Sequence, residues 1–220
     1  MIEERCPYYR FSDIELLRKK LLLKEDTILF PHRGRTRRYS VADIAAQKAI
    51  RPKQGALLFR LANYFRSQNI LQIGASVGLS TLYLTSYAQG VKCIALEKLP
   101  AYASIARWVY EKAACASIDL RIGDYSTLLP RILEEMGSVD FVFFNTSREP
   151  SGAGLFNTCV KYAKADTVFV FEGIKDNITM RRLWKTVCTH PEVTVTLDLY
   201  SMGIVFFNKK LHKRDYTVYF

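Results

Sequence analysis

No stretch of this 220-residue chain approaches ~18 uninterrupted apolar residues, the length a membrane-crossing helix requires. The first ten residues, MIEERCPYYR, carry acids and none of the apolar run a secretory signal needs. Together these absences predict a soluble, cytoplasmic protein with no membrane insertion. Cysteine is sparse: Cys6, Cys93, Cys115, Cys159 and Cys188 form an odd set without a CxxC pair, which argues against a disulfide framework and reads as reduced thiols, mostly in the core. Histidine is sparser still, and His32, His190 and His212 lie far apart, so no zinc spacing exists locally. No repeat or low-complexity tract appears. With 49% hydrophobic and 13% aromatic residues, disordered and fibrous classes are excluded. A chain of this length buries roughly 70 to 75% of its unfolded surface and needs no staple.

Acidic residues are also in short supply. Against 32 Lys and Arg there are 21 Asp and Glu, a net charge of +11, which attracts nucleic acid, anionic lipid or an acidic substrate. The excess is uneven. Residues 1–60 hold 14 basic and 7 acidic side chains, net +7, and residues 61–220 hold 18 and 14, net +4. The densest point is HRGRTRR, His32 to Arg38. Two helix starts are predicted nearby, at Ser12 with Glu15 and at Ser40 with Asp43, from the spacing that lets a side chain cap a first turn. Leu57, Leu58, Leu61, Ala62 and Phe65 recur at helical period and predict an amphipathic helix from Pro52 to Ser67.

Beyond residue 69 the pattern alternates. The apolar runs Ile70–Ile73, Val91–Leu96, Leu120–Ile122, Phe141–Phe144 and Val168–Phe171 are separated by stretches of helical period such as Thr81–Tyr87, Tyr102–Ala113, Tyr125–Met136 and Met180–Val187. Strands buried on both faces and alternating with helices imply a parallel sheet. The last two runs, Val193–Tyr200 and Ile204–Asn208, have only Ser201, Met202 and Gly203 between them. That is too short for a crossover, so they form an antiparallel hairpin.

Chemistry concentrates after the first of these strands. Asn69–Ile73 runs into Gly74-Ala-Ser-Val-Gly78 and then a helix from Ser80. Glycine permits the sharp turn and close approach of a ligand to backbone, while the free N–H groups of the helix face it. Glu97 follows Gly74 by twenty-three residues, at the next strand tip, where a carboxylate accepts both hydroxyls of a ribose. A dinucleotide fingerprint also needs glycine where Ser76 and Leu79 stand, so an adenosine cofactor of another kind is indicated.

QIGASVGLSTLYL resembles the first motif of class I S-adenosylmethionine-dependent methyltransferases, in particular the O-methyltransferase group of catechol and caffeoyl-CoA O-methyltransferases. The resemblance runs from about Ser40 to Asn208, through Glu97, the pair Gly123-Asp124, SVDFVFFN (Ser138–Asn145) and TVFVFEG (Thr167–Gly173). It implies an α/β Rossmann-like fold with a mostly parallel seven-stranded sheet in the order 3-2-1-4-5-7-6. Strand seven runs antiparallel, helices cover both faces, and a basic N-terminal helical cap (1–55) precedes a cofactor-binding core (56–220). It implies S-adenosyl-L-methionine as cofactor, held by Gln72, Gly74, Ala75, Ser76, Gly78, Ser80, Glu97, Lys98, Gly123, Asp124, Tyr125 and Asn145, with Glu172, Asn145 and Arg148 on the catalytic side.

Departures from the family pattern sharpen these expectations. Gln72 stands for the usual acid of the first motif and Ser76 for its middle glycine. Metal-dependent relatives carry an Asp and an Asp-Asn pair where this chain has Asn145 and Glu172-Gly173. A hard cation prefers anionic oxygen, so no metal is expected. Arg148 replaces a basic lysine and stays protonated. Glu172 is the candidate base or a solvent-exposed acid, and Arg148 an anion-binding group or surface charge. Tyr8, Tyr9, Phe11 and Tyr39 either line the substrate wall or pack. The acceptor is expected to be a small molecule, acidic or phosphate-bearing. The alternatives are an RNA-directed enzyme, motivated by the charge, and a catalytically silent cofactor-binding protein, motivated by Gln72, Ser76 and Asn145.

Overall fold

Apolar runs become the central strands because both of their faces are covered. In the computed structural model, which describes residues 8–32, 35–115, 117–146 and 149–219, Ile70 to Ile73, Phe141 to Phe144 and Val168 to Phe171 are all fully buried. The elements of the core are β3 (Asn69–Ile73), α4 (Leu79–Thr85), β4 (Lys92–Glu97), α5 (Pro100–Lys112), β5 (Ile118–Ile122), α6 (Tyr125–Met136) and β6 (Val139–Phe144). They continue as α7 (Gly152–Val160), β7 (Ala163–Glu172), α8 (Ile178–Thr189), β8 (Val195–Asp198), β9 (Met202–Phe206) and β10 (Arg214–Thr217). The sheet order is β10-β8-β9-β7-β6-β3-β4-β5. Strand β9 is antiparallel to both β7 and β8. Counting β3 as the first core strand, this is the order 3-2-1-4-5-7-6 with one strand added.

The added strand is the first correction. Strand β10 pairs parallel to β8, with Arg214 opposite Val195 and Thr217 opposite Asp198. Its four residues are all exposed, so no apolar run marks it. It is held from the side, where buried Thr196 donates to Asp215 at 2.6 Å.

The second correction lies in the cap, which is not wholly helical. Helices α1 (Tyr9–Leu22), α2 (Val41–Lys48) and α3 (Pro52–Tyr64) flank an antiparallel hairpin of β1 (Thr27–His32) and β2 (Arg35–Ser40). Arg33 and Gly34 of the basic run lie outside the described residues. The hairpin is fastened by aromatics: the Phe30 ring lies 5.7 Å from Tyr39 and 5.2 Å from Tyr102 of α5. Ser40 caps α2, accepting from the Asp43 amide at 3.0 Å. Ser12 caps nothing. Helix α1 begins at Tyr9, a turn earlier, because Tyr8 and Phe11 pack on Phe59 at 4.5 and 4.9 Å and Glu15 is taken by the Tyr83 hydroxyl at 2.6 Å. Of the four aromatics suggested as a substrate wall, Tyr8 and Phe11 are therefore packing groups, and Tyr9 is exposed. Residue 55, the expected edge of the cap, falls within α3, where Gly55 meets the Tyr83 ring. Among the described residues no helix is long and apolar enough to cross a membrane.

Candidate active site

The glycine turn leaves β3 between two neighbouring strands. The amides of Gly74 and Ala75 both donate to the Leu96 carbonyl of β4, at 2.9 and 2.8 Å, and the Asn145 amide donates to the Ile73 carbonyl at 2.8 Å. Gly74 has φ +92, and a Cβ there would lie 2.1 Å from the Asn145 carbonyl oxygen. No other residue fits. Gly78, at φ +85, sits against Tyr110 and Ala106 of α5, which lets α4 start flush on its neighbour. Ser76 takes φ +53 although it carries a Cβ. Two hydrogen bonds offset that strain: its amide donates to Glu97 Oε2 at 2.8 Å and its hydroxyl to the Lys48 carbonyl at 3.1 Å. The serine thus ties α2 to the turn, which glycine could not do.

Glu97 ends β4 and is only 3% exposed. Burial raises its carboxyl above the ordinary range, opposed by the backbone N–H groups around it. Besides Ser76, the Leu99 amide donates to Oε1 at 3.0 Å. With the Lys98 backbone N–H also bearing on it, the carboxylate still has acceptor capacity left among its roughly four lone-pair sites, which a ribose hydroxyl can use. The β5 tip lies beside it, because the Gly123 amide donates to the Glu97 carbonyl at 3.0 Å. Asp124 caps α6 through the amides of Ser126 and Thr127 at 3.0 and 3.3 Å. Lys98 at 3.1 Å holds it below the usual carboxylate range. Burial, then Glu97, push the Tyr125 phenol upward.

These tips enclose a cavity of about 300 Å³ lined by Ser76, Glu97, Lys98, Tyr125 and Asn145, all expected from the sequence, together with Lys48, Leu99, Tyr102, Thr146 and Glu149. The second set was not expected. Lys48 and Tyr102 come from α2 and α5, elements whose approach is decided by packing, whereas Leu99, Thr146 and Glu149 adjoin strand tips already singled out. Gln72 and Ser80 serve from beneath: the Gln72 amide nitrogen donates to the Gly74 carbonyl at 2.8 Å and to Ser80 Oγ at 2.9 Å, and both residues are buried. The helix expected from Ser80 starts at Leu79.

A model of the O-methyltransferase family matches residues 24–218. The chain belongs to the O-methyltransferase family. Over 129 residues it is 26% identical to catechol O-methyltransferase of Niastella koreensis, an alignment covering 57% of this chain and 58% of that protein, so less than two thirds of the relative is spanned. Over 163 residues it is 25% identical to catechol O-methyltransferase of Mycobacterium tuberculosis, covering 67% and 72%. The crystal structure of the O-methyltransferase from Bacillus cereus in complex with SAH superimposes with a TM-score of 0.66 at 19% identity over 92% of each chain. At that identity the likeness concerns the fold.

In this O-methyltransferase-family chain the tips of β6 and β7 differ most from the metal-binding pattern. Asn145 contributes an amide, and the position after Glu172 is Gly173, at φ +67. A Cβ there would lie 2.4 Å from Asp176 Oδ2, so the Asp176 side chain fills the space a ligand side chain would need. Among the described residues no three His, Cys, Asp or Glu side chains converge. This donor set does not fit a hard divalent cation. Glu172 lies outside the cavity lining, partly accessible, and its carboxyl is pushed up to about 7 by burial first and then by Asp176, against Arg51 and Lys48, which pull it down. Lys48 therefore lines the cavity and also bears electrostatically on Glu172. Arg148 and Ser147 lie outside the described residues.

Proposed function

We propose that this chain is an S-adenosylmethionine-dependent methyltransferase that methylates a hydroxyl of a small molecule without a metal ion. The observation that carries the reading is Glu97, a carboxylate 3% exposed at a central strand tip, beside a turn that admits no side chain at Gly74. Burying a carboxylate is costly unless donors repay it, and its backbone partners Ser76, Leu99 and Lys98 leave acceptor capacity for a further donor. The ribose hydroxyls of the cofactor fit that vacancy in chemistry. Tyr102, Tyr125 and Leu99 would flank the base, and the Lys98–Asp124 pair would close the rim. The SAH complex of the Bacillus cereus structure agrees with this reading.

When bound, the cofactor supplies a methyl group already activated on a sulfonium, so most of the protein's contribution is alignment. An alcohol or phenol must still lose its proton. Glu172 is suited to take it, because a carboxyl near 7 is ionised enough at neutral pH to act and basic enough to pull. The Glu172 carboxylate would take the proton of the acceptor hydroxyl, leaving its oxygen free to displace the sulfur as the methyl–sulfur bond breaks. Lys48 and Arg51, which bear on Glu172 from the cap, supply positive charge for an acidic or phosphate-bearing acceptor. Asn145 would orient the acceptor through its amide.

Isothermal titration with S-adenosylmethionine and S-adenosylhomocysteine tests the cofactor, and no heat with either removes the proposal. Turnover of a panel of phenols and alcohols, unchanged by EDTA, tests the chemistry. The substitution of the metal-side residues favours one second reading, a cofactor-binding protein without turnover; tight binding with no methylated product across the panel would select it.

A further inference from the structure

Five threonine side chains are buried, and four of their hydroxyls are paired. Thr81 shares a 2.7 Å bond with the Tyr110 hydroxyl, Thr85 donates to the Thr81 carbonyl at 2.9 Å, Thr167 to the Val139 carbonyl at 2.6 Å and Thr196 to Asp215 at 2.6 Å. The fifth is Thr146, next to Asn145 beyond the tip of β6. It is 3% exposed, and its Oγ1 finds no hydrogen-bond partner among the described residues. It is also the only one of the five that lines the cavity with Glu97 and Tyr125. Its neighbours are already engaged: Glu149 accepts from the Ser151 hydroxyl at 2.8 Å, and the Glu149 amide binds the Thr146 carbonyl at 2.9 Å.

A buried hydroxyl left unpaired costs about 1 to 3 kcal/mol, while valine would fill the same volume without that penalty. We propose that the Thr146 hydroxyl is a binding contact for the cofactor, unpaired in the empty protein and paired in the loaded one. It rests on the cofactor reading above and adds a residue of this chain to it. The free protein carries the cost, and binding removes it.

Two measurements on Thr146→Val and Thr146→Ser test this. The valine variant should melt at the same temperature as the wild type or higher when free, yet bind S-adenosylhomocysteine about tenfold more weakly by isothermal titration. The serine variant, which restores the hydroxyl, should bind within about twofold of the wild type. Equal affinity of the valine variant overturns the inference. So does a lower melting temperature of the free valine variant, which would make the hydroxyl a structural group. A wild type that does not bind S-adenosylhomocysteine overturns the cofactor reading itself, and this inference with it.

Discussion

The carboxyl edge of the sheet has two halves. At the tips of β3, β4 and β5, each feature is tied to another: the Gly74 and Ala75 amides to Leu96, Ser76 to Glu97 and Lys48, Glu97 to Leu99, and Gly123 back to Glu97. At the tips of β6 and β7 the groups are loosely held or unpaired. Thr146 lacks a partner among the described residues, and Glu172 shares its surroundings with the like charge of Asp176. The first half is largely built before a ligand arrives, with Gln72 Oε1 its one buried side-chain atom lacking a partner among the described residues. In the second, Thr146 is unpaired and the Glu172 carboxyl is raised by burial and then by Asp176, the state expected of groups whose partners are reactants.

Breaking the prebuilt half at its tightest point should have the largest effect. Gly74→Ala forces a Cβ to within 2.1 Å of the Asn145 carbonyl at φ +92 and should destabilise the fold by at least about 3 kcal/mol, read as a fall in denaturation midpoint. If the variant kept wild-type stability, the turn would not be the rigid element described.

In the other half, Glu172→Gln should lower the methylation rate about 10²- to 10⁴-fold with little change in cofactor affinity. Wild-type activity should rise with pH through about 7. Stability should move the opposite way. The folded carboxyl titrates near 7 against 4.5 for the free group, so the native state holds the proton more tightly, and stability present below 4.5 is lost as pH rises through 7. Thermal melts across that window should show the decline in the wild type and its absence in Glu172→Gln.

Glu97→Ala should weaken S-adenosylhomocysteine binding about 100-fold if the proposed charge-assisted bonds to the ribose are lost together. A change under threefold would separate the buried carboxylate from ligand binding. The smallest effect belongs to the rim. Lys98, half exposed between Asp124 at 3.1 Å and Glu149 at 3.5 Å, forms a screened pair, so Lys98→Ala should leave affinity within about threefold. That difference should vanish at about 0.5 M salt.

Local pattern was enough for the core. The runs Ile70–Ile73 and Phe141–Phe144 declare strands because central strands meet helices on both faces, and Ser40 announces α2 because a cap is a contact between near neighbours. Glu97 was legible for the same reason: its place at a strand tip follows from strand length alone. The hairpin of β1 and β2 was not, since β1 is a short apolar run closed by Pro31 and β2 is rich in arginine. Its position depends on Phe30 finding Tyr102 some seventy residues away. Strand β10 is exposed throughout, so burial wrote no pattern into it. Lys48 and Thr146 escaped notice because a charged helix end and a loop threonine look ordinary until packing places them on one cavity.

Taken alone, the apolar runs, the turn from Gly74 to Gly78 and the acid at 97 determined the parallel core strands, the closing antiparallel hairpin and an adenosine-bearing cofactor, because each rests on period, length or a backbone angle; the strand order and S-adenosylmethionine itself came from the resemblance of the motifs. Tertiary structure decided which polar groups are left without partners and which charges from the cap reach Glu172. Those depend on distances between residues remote in the chain, and no periodicity encodes them. The basic cap illustrates the division: the charge of +7 on residues 1–60 is visible in composition, but only the folded contact of α2 with the glycine turn brings Lys48 to the cavity that Glu97 lines.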